Sequence, residues 1–138
     1  MRELNLMIKK PGHPVQRIHI EDVLVIYERL VEGYIEVLHP SKVTDELPKD
    51  VVFLVNEEGI YKHLQPNIAY GWDRLLGNIV VAREDDNGEL QSIPHSYEWA
   101  IEEYMEKQED LLWSRLAVGL DGTWDGVLWK RRLYYFMR

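Results

Sequence analysis

Apolar and polar residues alternate at the start of the chain. Leu4, Leu6 and Ile8 recur at every second position, the spacing of a strand with one buried face. Lys9-Lys10-Pro11-Gly12-His13-Pro14 interrupts the pattern and residues 15–20 resume it, which predicts a hairpin with a loose loop. The period then changes. Val23, Ile26, Tyr27 and Leu30 fall at i, i+3, i+4 and i+7, one face of a helix. Glu21 and Asp22 read as acids of its first turn, and Gly33 as its stop. Residues 34–38 read as a strand, and 39–50, with two prolines and mixed charge, as an exposed loop.

The stretch 51–82 is the most specific. Its two β-branched runs, 51–55 and 79–81, predict buried strands. Residues 60–63 are expected to pair with the first run around Asn56-Glu57-Glu58-Gly59, with Gly59 at the positive φ of the turn. A small irregular insert follows, opened by Pro66-Asn67 and containing Trp72-Asp73-Arg74. Residues 78–83 and 89–93 flank Asp85-Asp86-Asn87-Gly88, a strong hairpin signal. A helix is predicted over 96–118, with Tyr97, Ile101, Tyr104, Leu111, Leu112 and Leu116 as its apolar stripe and Gly119 as its cap. A turn-rich connector, 121–126, leads to an aromatic strand over 127–137. The predicted class is α+β. It has a mixed or mainly antiparallel sheet with the 23–30 helix on one face, followed by the long helix and last strand, in one domain of 138 residues.

Composition narrows the chemistry. The chain contains no cysteine, which excludes disulfides, thiol catalysis and cysteine zinc sites, and fits a reducing cytoplasm. No basic segment followed by an apolar core opens it, so no signal peptide is expected, and no apolar run reaches the ~20 residues of a membrane span. The net charge of -8 disfavours general nucleic-acid binding. Charge is unevenly placed. Residues 84–110 carry ten acids against one lysine, and the last nine residues, KRRLYYFMR, carry four cations and no acid. The five histidines are scattered at His13, His19, His39, His63 and His95, no calcium-loop alternation surrounds Asp121 and Asp125, and no nucleophile, zinc or phosphate motif is present. The expectation is a binding protein with no metal or cofactor rather than an enzyme.

Three groups are candidates for a partner site. Glu98, Glu102, Glu106 and Glu109 form an acidic row on the long helix, at spacings that weaken a helix by roughly 0.2–0.5 kcal/mol per like-charged pair. Trp72 and Arg74 belong to the two residue types most enriched at interface hot spots. Lys130, Arg131 and Arg132 are interleaved with aromatics near the chain end.

The set Gly33-Tyr34-Ile35-Glu36-Val37, Asn56-Glu57-Glu58-Gly59, Leu64-Gln65-Pro66-Asn67 and Gly77-Asn78-Ile79-Val80-Val81 resembles a family of small proteins catalogued only as a domain of unknown function. Such proteins are common on phages, plasmids and integrative elements. The resemblance covers about residues 4–93, which divides the chain into a family-like core, 1–93, and a helix-strand extension, 94–138. It implies no catalytic residues. It implies a bacterial cytoplasmic setting and an accessory, anti-defence role. The leading expectation is an inhibitor of the anti-CRISPR kind, which covers a nucleic-acid-binding or effector surface of a host protein or nucleoprotein complex, a CRISPR effector included. Assembly into a homo-oligomer is compatible with it. The alternative is a module that sequesters a small ligand or signalling nucleotide in a pocket lined by residues 67–72 and Tyr61.

Overall fold

In the computed structural model, which describes residues 2–119, strands dominate the first two thirds of the chain. β1 (Glu3–Lys9) and β2 (Gln16–Glu21) form the first hairpin, and α1 (Leu24–Val31) leads to β3 (Ile35–Leu38). β4 (Val51–Asn56), β5 (Pro66–Tyr70), β6 (Asp73–Leu76), β7 (Ile79–Glu84) and β8 (Leu90–Gln91) follow, and α2 (His95–Gly119) comes last. The main sheet has the order β2-β1-β7-β4-β3, with β8 also pairing with β7, and every pairing is antiparallel. The α+β class read from the sequence is the observed one, with an antiparallel sheet.

The sheet is covered on both sides. Leu6, Ile8, Val52, Leu54, Val80 and Ala82 meet Tyr27 and Val31 of α1 on one face. Met7, Phe53, Val55, Ile79 and Val81 meet Ile68 of β5 and Ile101, Tyr104 and Met105 of α2 on the other. This explains why β4 and the first part of β7 are continuous apolar runs: a central strand with both faces covered has no polar side to show. It also explains why the alternation in β1 stops after Leu6. From Met7 onward both faces of that strand are buried, and Lys9 is its last residue.

Several local expectations give way to packing. Residues 60–63 form turns, and the partner of β4 on that side is β3, in the register Glu36↔Val55 and Leu38↔Phe53. The Pro66-Asn67 insert is a two-stranded hairpin, with Ala69 opposite Arg74. Glu21 lies in β2 and Asp22 precedes α1, where it accepts a hydrogen bond from the Tyr27 hydroxyl at 2.6 Å and an ion pair from Arg2 at 2.8 Å. At the other end of α1 the left-handed residue is Glu32, at φ 64°, and not Gly33. Gly33 is required for space: a Cβ there would stand 2.6 Å from the Asn56 side chain. Gly59 also lacks a positive φ, and its absent Cβ lets the turn approach Leu76.

The turns of α1 end against asparagines of the sheet. Asn56 Nδ2 donates to the carbonyls of Val31 and Glu32, and Asn78 Nδ2 donates to that of Leu30. These are carbonyls that a helix C-terminus cannot satisfy itself.

Three of the four α2 side chains expected to dock do so. Ile101 and Tyr104 are in the core and Tyr97 packs against it. Leu111 is 38% exposed and borders a depression of about 560 Å³ beside residues 41–46, while Met105 and Leu112 are buried instead. The division at residue 93 separates side chains that share one core. Burying Ile101 and Met105 stabilises the fold by roughly 1.5–3 kcal/mol each, against a total of about 5–15 kcal/mol for a small domain. A chain ending at Ile93 is therefore expected to lose the cooperative thermal transition of the full chain. Circular dichroism melting curves of the two proteins check this.

Candidate functional site

Helix α2 presents two different acidic sets. Ile101, Tyr104, Met105 and Leu112 define its inner direction. At about 100° per residue, Glu98 and Glu109 lie only about 60–80° from Ile101, whereas Trp99, Glu106 and Asp110 lie about 140–180° away. The structure follows this geometry. Glu98 pairs with Arg17 of β2 and with His95, 3.3 Å away. Glu109 is 8% exposed and accepts a hydrogen bond from Lys9 at 3.0 Å. The predicted four-residue row is thus split, and two of its members serve intramolecular ion pairs. Glu102 and Glu106 remain exposed, joined by Asp110, and these three form no ion pair among the described residues. Trp99, 72% exposed, stands on the same face. Trp99 belongs to neither the apolar stripe nor the acidic row read from the sequence.

The other candidates are dispersed. Trp72 is 100% exposed at the tip of the β5–β6 hairpin, with the Arg115 guanidinium 5.9 Å from its ring centroid. Arg115 Nη1 also donates to the carbonyl of Gly71 at 2.8 Å, so α2 holds the tip from one side. Arg74 is exposed and borders a groove of about 320 Å³ between β3, the 57–61 turn and β6. Lys130, Arg131 and Arg132 lie outside the described residues.

One polar cluster is legible only in the structure. Lys9, 1% exposed, sits at the end of β1 beneath α2. Its ammonium has three donors and three acceptors: the Lys10 carbonyl at 3.0 Å, Asn67 Oδ1 at 3.1 Å and Glu109 Oε2 at 3.0 Å. Asn67 in turn donates to the carbonyls of Lys9 and Gly77, each at 2.7 Å. Burial pushes the Lys9 pKa below the ordinary lysine value, and the Glu109 carboxylate opposes that shift. A buried, perturbed lysine can mark a catalytic site. Here all three ammonium protons are used, which makes the cluster a clamp that joins β1, the β5–β6 hairpin and α2. Among the described residues no three His, Asp or Glu side chains gather as metal ligands, and no helix is long and apolar enough to cross a membrane.

The clamp makes a sharp prediction. Removing one partner of a buried pair leaves the other charge unpaired, at a cost of about 3–5 kcal/mol, whereas replacing both by apolar groups is often neutral. Glu109→Ala should lower the denaturation midpoint strongly, and the double variant Lys9→Met/Glu109→Leu should recover most of the loss. Urea unfolding of the three proteins measures this.

No curated protein and no solved structure matches the chain. A family model does match, over residues 1–109, which extends the resemblance seen over 4–93 well into α2 and ends on the carboxylate that Lys9 requires. The three asparagines that bond the layers, Asn56, Asn67 and Asn78, fall inside the matched region. The chain belongs to DUF3846, a family defined as a domain of unknown function.

Proposed function

We propose that the protein acts by binding a basic surface of a macromolecular partner through the outer face of α2, with Trp99 as anchor and Glu102, Glu106 and Asp110 as its charged surround. The observation that carries this reading is the exposed Trp99 beside three carboxylates without ion-pair partners among the described residues. Tryptophan concentrates binding energy when it is desolvated at an interface centre, and complementary charge around it speeds association and selects the partner. Surfaces that hold nucleic acid are basic by necessity, because they neutralise phosphates. An acidic face with an aromatic anchor suits a protein that occupies such a surface and blocks it. In its finer form the proposal is an accessory protein of a mobile element that disarms a host defence complex, as anti-CRISPR proteins do.

Sequestration of a nucleotide is the second reading. The groove beside Arg74 does gather Tyr61 and Tyr70. Its charged lining, however, is Glu36, Glu57 and Asp73 against Arg74, which favours a cation over a phosphate.

The test is retention of a bacterial nucleoprotein partner on immobilised protein, followed by association kinetics at two ionic strengths. Trp99→Ala should shorten the lifetime of the complex. Glu102→Lys/Glu106→Lys should slow association and flatten its salt dependence, with the circular dichroism spectrum unchanged. Unaltered kinetics in both variants would remove this face from the mechanism.

A further inference from the structure

We propose that the groove between β3 and the β5–β6 hairpin is a second binding site, and that its ligand is a basic peptide in extended form that adds a strand to the outer edge of β3. None of the groove's lining residues belongs to α2, so the site is independent of the face described above.

Three observations converge on it. β3 is the last strand in the sheet order and pairs with β4 alone among the described residues. An unpaired strand edge is a template for another chain. The groove lies on the face of β3 that carries Glu36 and Leu38, and its volume of about 320 Å³ suits one or two side chains rather than a cofactor. Its charge is acidic on balance, Glu36, Glu57 and Asp73 against Arg74: Glu36 and Glu57 form no ion pair among the described residues, and Asp73 accepts the backbone N–H of Arg74. Tyr61, 84% exposed, adds an aromatic wall that can cover the aliphatic stem of a lysine or arginine.

The pleat then dictates the sequence such a peptide needs. Side chains of an added strand alternate between the two faces of the sheet. One set meets Glu36, Glu57 and Asp73 and should be cationic. The other set lies beside Ile35 and Val37 on the opposite face, where Val37 is exposed next to the cluster under α1, and should be apolar. The ligand class is therefore an alternating cationic and aliphatic segment.

The experiment uses the full chain and a fluorescent, end-blocked pentapeptide that alternates lysine and valine, followed by fluorescence anisotropy. The expected result is saturable binding that weakens with salt. A peptide alternating glutamate and valine should bind at least roughly tenfold more weakly. The same lysine–valine peptide, N-methylated on the backbone nitrogens that face β3, should also lose roughly tenfold, since it cannot form the strand ladder. That last comparison needs no variant of the protein. Glu36→Lys/Glu57→Lys should abolish the preference for lysine over glutamate. Four outcomes overturn the proposal: no binding of the lysine–valine peptide, equal affinity for the glutamate peptide, equal affinity for the N-methylated peptide, or displacement by free lysine amide as effective as by the peptide, which would make this a small-cation site. A concentration-dependent dimer in sedimentation that the lysine–valine peptide fails to dissociate would also overturn it, by assigning the edge to a second copy of the chain.

Discussion

A buried ammonium ties three separate parts of this fold to one point. Lys9 cannot leave β1, and a charged group in the interior is tolerated only when every proton on it is hydrogen-bonded. The structure meets that condition with groups from three places: the adjacent backbone, Asn67 of the small hairpin and Glu109 of α2. The three layers are thus held in one relative position by a requirement that a purely apolar core would not impose. Displacing α2 would strip Lys9 of its carboxylate.

Asparagine does comparable work elsewhere. Asn56 and Asn78 take the last carbonyls of α1, and Asn56 also accepts the Glu58 N–H with its side-chain oxygen, so one residue fixes both the end of a helix and the turn after β4. The motifs that carry the family resemblance are therefore largely architectural. Gly33 and Gly59 make room, and Asn56, Asn67 and Asn78 join layers. Exposed aromatics, and carboxylates that form no ion pair among the described residues, stand on the outer turns of α2 and beside β3, whose Glu36 and the nearby Glu57 belong to those same motifs.

The legibility of the fold follows the range of the forces involved. Strands β1, β4 and β7, helices α1 and α2, and the Asp85–Gly88 hairpin were readable because their periodicity and turn chemistry are local. The β5–β6 hairpin was not, because its strands are short and its tip, Gly71-Trp72, is not among the strong hairpin dipeptides. In the sequence Lys9 belongs to a break in the strand pattern, because nothing near it reveals Glu109, a hundred residues away. The acidic row of α2 was half legible. Spacings of four, four and three do place these acids on one flank of the helix, about 80° wide, but that flank runs from the margin of the core out to solvent. Glu98 and Glu109 end near the core, Glu102 and Glu106 end in solvent, and only tertiary contact decides which acids are free.

The central claim is that Lys9 is a charged, fully bonded clamp whose satisfaction holds β1, the β5–β6 hairpin and α2 together. The most direct measurement is nitrogen-resolved NMR of the lysine side chains at neutral pH and low temperature. The account predicts one ammonium signal, assigned to Lys9 through its loss in Lys9→Met, whose protons exchange far more slowly than those of Lys10 and show coupling to the Glu109 carboxylate. A Lys9 signal that exchanges as fast as a solvent-exposed lysine, or that reports a neutral amine, would contradict it.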